Sequence, residues 1–207
     1  MHGMIIHPTE LSKYITSSSN HCDSLCLQQK KMDSSYHLVG QSWDDSIYYM
    51  VGEDLYSVHM IMKPVHDHLV QSVHSATEFL NEYNVIQKNG VYTPRKAFSV
   101  YSTKIQVGAK NMNKKAEQIN YTDLDAMAAF ISDLRNYIRE TEDIFLKIQS
   151  EHRNIERYWK SPQYYQLGDA ISSSKRKFDI ALDNLKCSYA FACKVYRDED
   201  ELHRKRL

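Results

Sequence analysis

Glycine and proline are scarce in this 207-residue chain, at 6 and 4, which argues against a many-stranded sheet with frequent tight turns and favours long helices. Long apolar runs are missing: none approaches the ~18–20 residues that cross a bilayer, so no membrane span is expected. The opening stretch "MHGMIIHPTE" has no Lys or Arg, no apolar segment of signal-peptide length and no small-residue cleavage site. The expectation is a chain made in the cytoplasm, whose export would need another address. An excess of charge is lacking too, because 26 Lys and Arg balance 26 Asp and Glu. That excludes the global basic field of a nucleic-acid binder and the acidic surplus of a disordered chain. The balance is global and not local: residues 1–84 carry 4 basic and 10 acidic groups, 85–121 carry 7 and 1, and 122–207 carry 15 and 15, so a basic strip lies between an acidic and a neutral block.

Signatures of chemistry are also missing. There is no Gly-rich phosphate loop, no nucleophile elbow, no His-Glu-x-x-His and no inward-facing Glu-x-x-His of the ferritin-like di-metal type. No catalytic residue, cofactor site or metal site is therefore assigned, and the chain is read as non-enzymatic. The four cysteines, Cys22, Cys26, Cys187 and Cys193, contain no CxxC pair. Cys22 and Cys26 share a helix face with His21 nearby, an arrangement a metal could use, but burial as small apolar residues is the favoured reading. His59, His66 and His74 form a loose stripe beside an apolar seam and are read as flanking a core rather than as ligands.

What is present is periodicity. Leu11, Ile15, Ser18, Cys22, Leu25, Gln29, Met32, Tyr36 and Val39 advance in steps of four and three. Val51 through Leu55, Val58, Met62, Val65, Leu69, Ser72, Ala76, Phe79 and Tyr83 does the same, with Pro64 as a candidate kink. A third ladder runs from Leu124 to Ile155 and on to Trp159, a fourth from Leu167 to Val195. Small and polar rungs such as Ser18, Ser72, Ala76, Ser174 and Ser188 allow close helix axes, and the 3.5-residue spacing implies near-parallel, coiled-coil-like packing. The fold class is all-α: two long helical hairpins forming a four-helix bundle. Apolar residues off the ladders, among them Ile180 and Phe191, leave each hairpin a second apolar face. Helix starts are expected at Thr122 with Asp125 and at Ser161 followed by Pro162, and Gly40 is expected to close the first helix.

The chain has two tryptophans, in "GQSWDDSIYYMV" and "RYWKSPQYYQL". Aligned on them, Trp43-x-Asp45 with Val51 eight residues on matches Trp159-x-Ser161 with Leu167 eight residues on. Each Trp is placed to plug a hairpin mouth, its indole N–H reaching the wet rim or a free carbonyl, and Asp45 and Ser161 are placed to cap the next helix. Two hairpins, each with Trp-x-small/polar in the turn, resemble the WXG100 (ESAT-6-like) family of type VII secretion substrates, here as two tandem divergent units. Neither turn has the family's Gly, offering Asp45 and Ser161 instead. The resemblance implies helical-hairpin proteins that pair, commonly antiparallel, and are exported folded in Gram-positive-type bacteria. It also implies an export signal of the form Tyr-x-x-x-Asp/Glu just after a hairpin's last helix, which Tyr196-Arg-Asp-Glu-Asp200 satisfies. The equivalent Tyr83-Asn-Val-Ile-Gln87 lacks the acid.

The expected organisation is a first hairpin over 1–84, a basic linker over 85–121 that is mostly loop, a second hairpin over 122–200 and a charged tail over 201–207. The linker holds Asn89-Gly90 and Pro94, and the alternation at Phe98, Val100, Ile105 and Val107 leaves a small β-hairpin open. An antiparallel pairing requires the linker to travel the bundle's length, and its 37 residues suffice at about 3.3–3.6 Å each; the basic strip could then lie along the acidic first hairpin. Antiparallel packing would set Tyr196 and Asp200 beside Trp43 and Asp45. The functional expectation is a protein of type VII secretion, secreted or at the cell surface, with the secretion machinery and a larger toxin-like substrate as partners. The alternative is a cytoplasmic helical scaffold or adaptor with no secretion role.

Overall fold

The computed structural model describes residues 7–87, 98–105 and 123–206. Among them are four helices: α1, Pro8–Val39; α2, Ser46–Ile86; α3, Leu124–Ile155; and α4, Pro162–Arg206. Local chemistry fixes their starts. Pro8 and Pro162 sit in the first turns of α1 and α4, where a missing N–H costs nothing. Asp45 caps α2 by accepting from the Ile47 and Tyr48 amides at 2.8 and 2.9 Å, and Ser161 Oγ accepts from the Tyr164 amide at 3.1 Å. The cap of α3 is Asp123, whose carboxylate accepts from the Ala126 amide; the expected start at Thr122 lies outside the described residues. Pro64 does not break α2. It points outward, so the carbonyl it leaves without a helical partner, that of the exposed Met60, can turn to water.

The ladders are the core. Every rung of the first, from Leu11 to Val39, is buried, as are those of the second from Val51 to Ala76 and of the fourth from Leu167 to Ala192. At about 1.5–3 kcal/mol for each fully buried large apolar side chain, this seam dominates stability. The ion pairs among the described residues are largely surface contacts within one helix, such as Lys175–Asp179, which add little.

α1 packs on α2 and α3, and α4 packs on α2 and α3, leaving α1 and α4 on opposite corners. Ser17 donates to Glu151 at 2.9 Å near one end, and Lys31 pairs with Asp133 at 2.7 Å near the other, so α1 and α3 are antiparallel. Ser75 meets Gln163, and Ser188 meets Asp54, which makes α2 and α4 antiparallel too. The two hairpins thus close an antiparallel four-helix bundle.

The linker is more than a spacer. Residues 98–105 contain no strand and form a strap laid into the groove of the first hairpin. Phe98 packs edge-on against His74, Tyr101 lies against His66 and His59, and Lys104 N–H donates to Asp33 at 2.8 Å. The strap runs from the last third of α2 back towards the Trp43 end, the direction an antiparallel pairing requires. Its backbone is tied side by side to α1: Cys26 Sγ donates to the Ser99 carbonyl, Gln29 bonds the Ser102 carbonyl and amide, and Thr103 Oγ1 donates to Asp33 at 3.0 Å. Tyr101 and Ile105 are buried. The histidine stripe of α2 is therefore the track for this strap. The expected charge contact is not what holds it: Lys104, the one basic residue of the strip within the described residues, binds through its backbone while its side chain is exposed.

Candidate functional site

The two tryptophan turns are built alike, position by position. In each, the amides of Trp and of the residue before it bond one carbonyl four residues before the Trp: Trp43 and Ser42 to Val39, Trp159 and Tyr158 to Ile155. Two residues after the Trp comes the cap, whose carbonyl accepts from Tyr49 in one turn and Tyr165 in the other. Five residues after it comes a tyrosine edge-on to the indole, Tyr48 at 5.7 Å and Tyr164 at 6.4 Å. That tyrosine stacks face to face on a ring seven residues before the Trp: Tyr36 on Tyr48 at 4.3 Å, His152 on Tyr164 at 4.2 Å. Nine residues after it comes a glycine, Gly52 or Gly168.

The glycines make room for the rings. A Cβ on Gly52 would collide with the Tyr36 hydroxyl, and one on Gly40 with the Tyr48 hydroxyl. Gly40 ends α1 with φ −66°, so a close approach, not a left-handed backbone, requires it. The two phenols thus reach across the hairpin in opposite senses, Tyr36 towards the Tyr48 carbonyl and Tyr48 towards the Tyr36 carbonyl, at 3.4 and 3.3 Å. Burial pushes both phenols up from their ordinary pKa, so the pair stays neutral at any physiological pH. The second mouth is looser: a Cβ on Gly168 would come to 3.0 Å from His152 Cε1.

The correspondence extends to the helices. Adding 116 to the bounds of α1 gives those of α3, and adding it to the start of α2 gives the start of α4. Each Trp is covered by the seventh residue of the opposite hairpin's first helix, Trp43 by Phe130 at 6.0 Å and Trp159 by Tyr14 at 6.1 Å. Both indoles are 2% exposed. The expected wet indole N–H is not found at Trp43, where Nε1 is buried without a partner among the described residues. Phe130 and the stacked tyrosines close the rim that water would otherwise reach. The bundle has an approximate two-fold axis, with one Trp plug at each end.

Two features depart from that symmetry. One is the strap with its polar lining. Asp33, 4% exposed, accepts from Lys104, Thr103 and Gln29 and lies 3.7 Å from His59 Nδ1. His59 is 1% exposed, and burial lowers its pKa to about 4 against the pull of Asp33. The positions equivalent to Asp33 and His59, 116 residues on, are Gln149 and Lys175. The other is the tail. The Tyr196 and Asp200 pair does not follow the last helix but lies inside it, since α4 continues to Arg206 and absorbs the segment expected as a separate 201–207 tail. Its acids and bases form i,i+4 pairs, Asp200 with Arg204 at 2.8 Å and Glu201 with Lys205 at 2.7 Å, which extend the helix.

Counting from the Asp54–Ser188 contact, Tyr196 falls level with Ser46, at the end that holds Trp43 and Asp45. Trp159 and Ser161 are at the other end. Tyr196 is half-buried against the main core, and Asp200 lies one turn further out. The last ten residues of α4 project about 15 Å past the start of α2.

Cys22 and Cys26 are buried, as the small-apolar reading expects, and Cys26 Sγ sits 3.4 Å from His66 Nε2. Among the described residues no three His, Cys, Asp or Glu side chains are grouped to hold a metal ion, and no helix is long and apolar enough to cross a membrane. A cleft of about 680 Å³ opens between the start of α1 and the end of α3, but its walls mix Glu10 and Glu151 with Lys13, Arg153 and Arg157 and favour neither sign of ligand.

The fold and site define an all-helical bundle of two repeated hairpins. Comparison with family models, curated proteins and solved structures yields no match to this chain.

Proposed function

We propose that the chain is a non-enzymatic tandem hairpin protein of type VII secretion, exported folded or accompanying a larger toxin-like substrate, in the manner of the WXG100 proteins it resembles. The supporting observation is the placement of Tyr196 and Asp200. They share one half-buried helical face at the Trp43 end, whereas the equivalent end at Trp159 has no such pair. A recognition element composed of a Trp-plugged turn and a protruding helix then occurs once per chain, with its geometry fixed in cis. On this reading the secretion machinery grips the α4 projection, and the bundle is cargo or escort.

Export assays in a type VII-competent Gram-positive host test it. Tyr196→Ala and Asp200→Ala should leave the protein folded and retained in the cytoplasm, and Trp159→Phe should be exported normally. Undiminished export of Tyr196→Ala sinks the assignment. A cytoplasmic adaptor is the second reading, favoured by the exposed apolar residues of α4. It predicts that the wild-type chain never leaves the cell.

A further inference from the structure

The outer face of α4 carries a pattern that the bundle does not use. Ile180, Phe191 and Leu202 are 54%, 51% and 48% exposed and recur every eleven residues, a spacing that returns to the same helix face after three turns. Cys187, also exposed, lies on that face between the first two. The stripe is about 33 Å long, and α1, on the opposite corner of the bundle, cannot cover it.

Charge flanks the stripe asymmetrically. Lys175, Arg176 and Lys177 form a basic block before it, and Asp198 and Glu199 begin an acidic block between Phe191 and Leu202. Lys175 is engaged with Asp179, and Asp200 and Glu201 with Arg204 and Lys205. Among the described residues Arg176, Lys177, Asp198 and Glu199 make no ion pair. Arg176 and Asp198 lie eleven residues either side of Cys187.

We propose that this face of α4 pairs antiparallel with the same face of a second copy, about a two-fold axis passing near Cys187. In that register Arg176 of each copy lies opposite Asp198 of the other, Lys177 comes within one turn of Glu199 although it is level with Arg197, twice per dimer, and Ile180 of each comes within one turn of Phe191 of the other. Parallel pairing would set basic block against basic block, and like charges brought together disfavour it. A single helix pair is a small interface, so the dimer is a micromolar one that salt weakens. The proposal does not depend on the secretion reading, and neither Tyr196 nor Asp200 is altered in its test.

Sedimentation equilibrium of the full chain from low to high micromolar concentration should show a monomer–dimer equilibrium. Arg176→Glu/Lys177→Glu and Asp198→Lys/Glu199→Lys should each weaken self-association at least about tenfold while circular dichroism stays unchanged. Mixing the two variants should restore a heterodimer, because each then offers the charges the other lacks. A short bismaleimide should join two wild-type copies through Cys187. A monomer at all concentrations, a dimer indifferent to both charge reversals, or a variant mixture that fails to associate would each overturn the proposal.

Discussion

Replacing Gly52 by alanine separates packing from helix propensity by sign. In the interior of α2, glycine is about 1 kcal/mol worse than alanine, so propensity alone predicts that Gly52→Ala stabilises the protein. The packing says the reverse. The new Cβ would overlap the Tyr36 hydroxyl, and the ring cannot retreat because it is stacked on Tyr48 and 5% exposed. Overpacking a fixed core costs about 1–3 kcal/mol, and a full overlap belongs at the top of that range. The net expectation is a loss of about 2 kcal/mol after the propensity gain, or about 4–8 °C in Tm for a chain of this size. Urea unfolding followed by far-ultraviolet circular dichroism measures it. The double variant Gly52→Ala/Tyr36→Ala should recover the propensity gain relative to Tyr36→Ala, since the hydroxyl is gone; this is a double-mutant cycle with a coupling of about 2–3 kcal/mol. Gly168→Ala should be close to neutral, its nearest contact being the edge of His152 at 3.0 Å. A Gly52→Ala protein more stable than wild type, or a cycle without coupling, would refute the reasoning.

Three further outcomes follow from the same geometry. Asp33→Ala should cost about 2–4 kcal/mol, because it leaves the Lys104 amide and the Thr103 hydroxyl without an acceptor; amide exchange at Lys104 should rise more than exchange in α3, and equal protection of Lys104 in the variant and the wild type would count against the strap. Stability should fall as pH drops from about 6.5 towards 4: His59 stays neutral in the folded state because burial lowers its pKa to about 4, while in the unfolded chain it takes up a proton near 6.5. The His59 share of the loss is on the order of 3 kcal/mol, and His59→Leu should remove that share and leave the smaller one of His21, His66 and His152, whose pKa burial also lowers; denaturation midpoints independent of pH in both proteins would contradict this. Trp43→Ala should cost about 3–5 kcal/mol and Trp43→Phe far less, since the indole N–H has no bond to lose; equal losses for the two would mean that the N–H is engaged after all.

The long-range order of this fold was legible because a heptad ladder is redundant. A run such as Leu11, Ile15, Ser18, Cys22 and Leu25 states its period many times, and it counts even when a rung is Ser18 or Gln29, both of which prove fully buried. The antiparallel arrangement was accessible only as a length condition on the linker. What escaped was carried by single, aperiodic contacts. Tyr101 sits in a segment with no repeat to announce its burial, and Asp33 looks like a surface acid off the ladder until the strap's amides are laid against it. The turn motif is legible in full from the aligned tryptophans, since the same offset that pairs Asp45 with Ser161 also pairs Tyr48 with Tyr164 and Gly52 with Gly168; that the rings stack and the glycines admit them is not. α4 runs past the expected boundary at 200 to Arg206 because a dense run of charge reads as a solvated tail, whereas acids four residues ahead of bases support a helix.

The approximate two-fold axis has a further consequence. In a true homodimer of hairpins every substitution acts twice, and no groove can be filled differently from its mate. Joined in one chain, the halves meet at an effective concentration set by the tether rather than by expression level, and each position answers to one environment only. Asp33 can become a buried acceptor without forcing an acid onto position 149, and α4 can lengthen without α2 doing so. The covalent link thus converts two interchangeable ends into a molecule with a head and a foot, which a partner can tell apart.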